Sequence, residues 1–114
     1  MNDLFELNSS GEMTVFLPHE LDHHSSSLVR TEIDSALFEK NPKTLVFDLA
    51  GVEFMDSAGL GLILGRYARA SVLGIPIIIR NASARQKRLL MMAQMNSIVK
   101  IEESEATENE KSHK

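Results

Sequence analysis

A chain of 114 residues, 43% hydrophobic and 25% charged, has material for one small domain with a single core and too little for two. It contains no Cys and no Trp, which excludes disulfides and thiolate chemistry and suits a reducing cytoplasm; a metal would have to rest on His and carboxylates. The formal charge is −4, of which residues 102–114 supply −3 (five Glu against two Lys), so the body is almost neutral and offers no broad grip on nucleic acid. No apolar run approaches the ~20 residues of a membrane span, and the first residues show no basic stretch followed by an apolar one.

Residues 4–7 and 13–17 read as short strands separated by the turn-rich Asn8-Ser9-Ser10-Gly11, which predicts an antiparallel hairpin. From 25 to 39, apolar residues at Leu28, Val29, Ile33, Ala36 and Leu37 have helical spacing, and the helix should end before Asn41-Pro42. The compact runs 44–49 and 75–79 read as strands with a helix between them, a βαβ unit. Right-handed crossover makes those strands parallel and lays the helix on one sheet face. A further helix is expected over 83–95, with Leu89, Leu90, Met92 and Ala93 inward, and a last strand over 98–101. From Glu102 the chain has almost no apolar side chain to offset the entropy of ordering, so 102–114 is expected to be a disordered acidic tail after a domain of residues 1–101.

The informative segment is Phe54-Met55-Asp56-Ser57-Ala58-Gly59-Leu60-Gly61, running on into Leu62-Ile63-Leu64-Gly65. Asp and Ser are N-terminal helix residues because their oxygens accept hydrogen bonds from unpaired first-turn N–H groups, and Leu60, Ile63, Leu64 and Tyr67 then share one stripe. Ser57 is thereby delivered to the first turn at the rim of the domain. By residue type alone it reads as a helix cap.

Other chemistries fit poorly. Gly59, Gly61 and Gly65 do not follow directly on a strand as a dinucleotide loop requires, and Asp56 would repel a phosphate at that helix end. Each glycine costs a helix about 0.5–1 kcal/mol relative to alanine, so close packing on the sheet or of a partner on the exposed side better explains them. A hydrolase elbow would need Gly where Met55 stands. His19, His23 and His24 beside Asp22 read as a solvated loop before a metal site. Arg80, Arg85, Lys87 and Arg88 lack interleaved aromatic side chains for stacking bases and read as a solvated helix face. Met91, Met92 and Met95 read as core filler and adaptable surface.

Glu20-Leu21-Asp22-His23-His24, then Phe54 to Gly61, then Ile63-Leu64-Gly65-Arg66-Tyr67, closely resemble the anti-sigma factor antagonists of the STAS family, above all the sporulation antagonists of anti-sigma F factors; the resemblance runs over residues 4–101. It implies a single α/β STAS domain: a small mixed sheet with an N-terminal hairpin, a parallel βαβ core, and helices mainly on one face. It also implies a cytoplasmic binding protein in a partner-switching circuit, with no enzyme activity and no cofactor. In the family the unphosphorylated protein binds an anti-sigma factor that is also a serine kinase, freeing the sigma factor, which it meets only indirectly. The kinase inactivates it on the serine after the loop aspartate, and a PP2C-type phosphatase reverses the change. That serine maps onto Ser57, and Glu20, Asp22, Asp56, Gly59, Leu60 and Gly61 match the partner-binding surroundings. Ala58 replaces a serine common in the sporulation proteins, leaving one hydroxyl there, while His19 and Ala84 stand where Gly and Pro are usual. Alternatives from the same residues are a stress or biofilm antagonist, a STAS subunit of a membrane lipid transporter, and a small nucleotide-binding or hydrolytic enzyme.

Overall fold

The computed structural model describes residues 4–103. The hairpin forms as expected: β1 (Phe5–Leu7) lies antiparallel to β2 (Glu12–Phe16), with Phe5 opposite Val15 and Leu7 opposite Met13. Asn8 Oδ1 closes the turn by accepting from Ser10 N and Glu12 N, each at 3.0 Å, and Gly11 takes φ +87°, a conformation strained for any L side chain. β2 pairs in parallel with β4 (Thr44–Asp48), β4 with β6 (Ile77–Arg80) and β6 with β7 (Lys100–Ile101), so the mixed sheet has the order β1-β2-β4-β6-β7.

Strand alternation places Met13, Val15, Leu45, Phe47, Ile77 and Ile79 on one face. Helices α1 (His23–Lys40), α2 (Ser57–Val72) and α3 (Ala84–Met92) cover it, adding Ile33, Leu37, Ile63 and Leu90 to one core. Each such side chain contributes about 1.5–3 kcal/mol on burial. On the other face Arg80 reaches from β6 across β4 to Glu12 Oε1 on β2 at 3.2 Å, while its Nε donates to Glu102 Oε1 at 2.7 Å. Those hydrogen bonds, Glu102 first, push Arg80 further above its ordinary pKa.

Several expected details shift. α1 begins at His23, because Asp22 caps it: Asp22 Oδ1 accepts from Ser25 N and Ser25 Oγ from Asp22 N, both at 3.0 Å. His23 and His24 are therefore exposed first-turn residues rather than loop, and Leu28, a step off the inward stripe of Val29, Ile33, Ala36 and Leu37, is 61% exposed. In α2 the buried residues are Gly59, Leu62, Ile63, Arg66 and Ala70; Leu60 and Tyr67 are half-buried and Leu64 is exposed. The stripe is turned because α2 packs against α1 as well as the sheet. α3 ends at Met92, and Gln94 at φ +61° redirects the chain, so Met92 and Ala93 face outward while Met95, in a 3₁₀ turn, is buried. Glu102 N donates to Ile79 O at 2.9 Å, extending the sheet contact by one residue; the rest of the expected tail, from 104 on, lies outside the described residues.

Candidate functional site

A second, two-stranded parallel sheet builds the rim. β3 (Glu20–Leu21) pairs with β5 (Phe54–Met55), Glu20 opposite Phe54 and Leu21 opposite Met55. The residue following each strand is an aspartate that caps a helix, Asp22 for α1 and Asp56 for α2. Strand pairing thus starts two helices side by side in the same direction. His19 O anchors the arrangement by accepting from Glu53 N at 2.8 Å and Phe54 N at 3.2 Å, and its imidazole lies 3.1 Å from the Glu53 carboxylate. The side chain standing in place of the usual Gly therefore points to solvent while its backbone holds the rim.

Asp56 Oδ1 accepts from Ala58 N at 2.8 Å, and Asp56 O from Gly59 N and Leu60 N at 3.0 and 3.3 Å. Ser57 is therefore not the cap. It is the first helical residue, exposed, and its hydroxyl has no hydrogen-bond partner among the described residues. At the companion cap, hydrogen bonds from Ser25 hold the Asp22 carboxyl below the usual carboxylate range, keeping a negative charge on the rim.

The structure gathers Glu20, Asp22, Asp56 and Ser57 on this rim, with Glu20, Asp56 and Ser57 exposed and Asp22 half-buried. Gly61 is exposed one turn along α2, and Leu60 is half-buried against the core. Gly59 points inward: a Cβ there would meet Met55 Cγ at 2.5 Å and Leu21 Cδ2 at 3.0 Å. It lets α2 approach the β3–β5 pair. At Gly61 and Gly65 a Cβ would meet nothing within 4 Å, so those glycines leave an open strip. Ala84 occupies the first position of α3, where proline is favoured for its preset φ, and the Ser83–Gln86 capping box secures that start instead.

Three features of the site go beyond what residue type and spacing predict. Phe54, on the rim beside Glu20, leaves half of its surface exposed. Arg66 is buried between α1 and α2, its Nε 2.8 Å from Asp34 Oδ1 but too poorly aligned for a hydrogen bond. Burial pulls the Arg66 pKa below its ordinary value; Asp34 opposes that shift, and Arg30 and Arg69 add to it. An arginine three residues beyond Ile63 and four beyond Leu62 was the available signal. Ser26, also buried, lies across the helix pair from it.

Among the described residues no group of three or more His, Asp or Glu is placed to hold a metal, and no helix is long and apolar enough to cross a membrane. The basic cluster disperses, because Arg80 is engaged with Glu12 and Glu102, and Lys87 lies 2.9 Å from Glu103.

The family model for the STAS domain matches residues 7–108. An anti-sigma F factor antagonist of Paenibacillus polymyxa is 37% identical over 95 residues, covering 83% of this chain and 81% of the relative. The fold matches the unphosphorylated anti-sigma factor antagonist SpoIIAA with a TM-score of 0.71 at 24% identity, covering 95% of this chain and 94% of the other. It matches the phosphorylated form of SpoIIAA, a Bacillus cell fate determinant, with a TM-score of 0.66 at 23% identity, covering 93% and 96%.

Proposed function

This chain belongs to the STAS domain family, and from that premise we propose that it is an anti-sigma factor antagonist whose binding is switched at Ser57. In its unphosphorylated state it binds a cytoplasmic anti-sigma factor that is also a serine kinase, releasing the sigma factor; phosphorylation of Ser57 ends that binding, and a PP2C-type phosphatase restores it. The circuit is the sporulation one, a reading supported by the relative from Paenibacillus. Ser57 itself carries the assignment: an exposed hydroxyl without a partner among the described residues, on a helix whose cap is supplied by the residue before it.

That division of labour explains how a switch spares the fold. A phosphate adds about −1.5 to −2 charges, which the α2 N-terminus partly stabilises while Asp56 and Asp22 oppose them. No core contact is lost, because Ser57 is outside the core. A partner covering Glu20, Phe54, Ser57 and Gly61 would instead have to desolvate the new charge, at a cost of several kcal/mol.

The test is incubation with ATP, Mg²⁺ and candidate anti-sigma kinases, phosphate being located by mass spectrometry with Ser57→Ala as control. Phosphate confined to Ser57, loss of kinase binding by the phosphoprotein and an intact cooperative thermal transition are expected. Active kinases that leave the folded protein unmodified would overturn the reading.

A further inference from the structure

The chain is acidic overall, yet where α1 and α2 run together Arg30 and Arg69 both repel the Arg66 charge, and Asp34 is the carboxylate that opposes them. Asp34 Oδ1 lies 2.8 Å from Arg66 Nε and Asp34 Oδ2 lies 3.7 Å from Arg69 Nε, while Arg30 has no carboxylate partner among the described residues. Beside them is a cleft of about 230 Å³ lined by Ser26, Ser27 and Arg30 from α1 and Gly61, Gly65 and Arg66 from α2. The open strip at Gly61 and Gly65 forms one of its walls. Among the described residues two that line it are more than nine-tenths buried yet lack hydrogen-bond partners, Ser26, 7% exposed, at Oγ and Arg66, 6% exposed, at Nε and Nη1; Asp34 Oδ1, beside Arg66 Nε, is without one as well. Buried polar groups ordinarily have partners, and a guanidinium N–H is among the costliest to leave without one.

We propose that this cleft is a carboxylate site, filled by an acidic side chain of the protein that docks over Ser57. Guanidinium groups match a carboxylate with two parallel N–H donors, and the serine hydroxyls add donors beside them. Gly61 and Gly65 lie one and two turns from Ser57, about 6 and 12 Å along α2, so a partner covering the rim reaches the cleft without a second interface. An incoming carboxylate gives Arg30 the counter-charge it lacks and adds to the one that Asp34 supplies to Arg66, the two arginines that line the cleft. The occupant's identity rests on the proposed function; the cleft's preference for carboxylate does not.

The probe is a tetraglutamate peptide titrated into ¹⁵N-labelled full-length protein, with orthophosphate titrated in parallel. Saturable shifts are expected at the amides of Ser26, Ser27, Gly61 and Gly65 and at Arg66 Nε–H. Arg30→Gln, at an exposed position, should weaken peptide binding roughly threefold or more, the scale of an exposed ion pair, while Lys43→Gln leaves it unchanged. Absent shifts, shifts insensitive to Arg30→Gln, or saturation by orthophosphate alone would overturn the assignment. The titration uses no kinase, so a negative result alongside phosphorylation of Ser57 removes the cleft and leaves the switch standing.

Discussion

Asp56 and Ser57 are neighbours with separate tasks. The aspartate satisfies a first-turn N–H, and the hydroxyl of the serine beside it makes no hydrogen bond among the described residues. Asp56→Ala should therefore cost about 0.5–2 kcal/mol in urea unfolding, the ordinary loss of an N-cap, whereas Ser57→Ala should stay within about 0.5 kcal/mol. Equal costs at the two positions would return Ser57 to a capping role. Residue type marks both as N-terminal helix residues; which of them caps is decided by the extended backbone of Asp56, at φ −111° and ψ −163°, as the chain leaves β5.

At the scale of the element, α2 uses its glycines in two ways. Gly59→Ala would drive a Cβ into Met55 and Leu21, separating α2 from the β3–β5 pair, and should destabilise the protein by about 1–3 kcal/mol in chemical denaturation. Gly61→Ala meets open space and should stabilise it by about 0.5–1 kcal/mol while weakening the kinase partner, because its methyl group stands on the proposed contact strip. Stabilisation with unchanged partner affinity would remove that strip from the interface. Spacing alone places Leu60, Ile63, Leu64 and Tyr67 on one stripe, and the helix does bury Ile63. It cannot show that α1 is a second neighbour, which brings Leu62 and Arg66 inside and leaves Leu64 at the surface.

Across the whole molecule, the Arg80 network joins β2, β6 and the segment after β7, regions far apart in the chain. The hydrogen bond from Arg80 holds the Glu102 carboxyl below its ordinary value of 4.5, so the folded state binds fewer protons there than the unfolded state. Its contribution is complete above pH 4.5 and is lost as pH falls through the depressed folded value. Glu102→Gln should lower stability near neutral pH by no more than about 1 kcal/mol, since the pair is partly solvated, and the gap from the wild type should close in acid. A gap independent of pH, followed by urea titration, would show that the pair does not contribute through its charge.

The hairpin, the parallel βαβ core and a helix starting around Asp56 and Ser57 are legible in the sequence, because turn chemistry, hydrophobic period and local motif act over a few residues. Long-range packing sets β3 against β5 and so Asp22 beside Asp56, turns Gly59 inward while Gly61 and Gly65 stay open, and buries Arg66 with Asp34. Each of these depends on segments 30 or more residues apart meeting in space, and local periodicity carries no record of which face of one element meets which face of another.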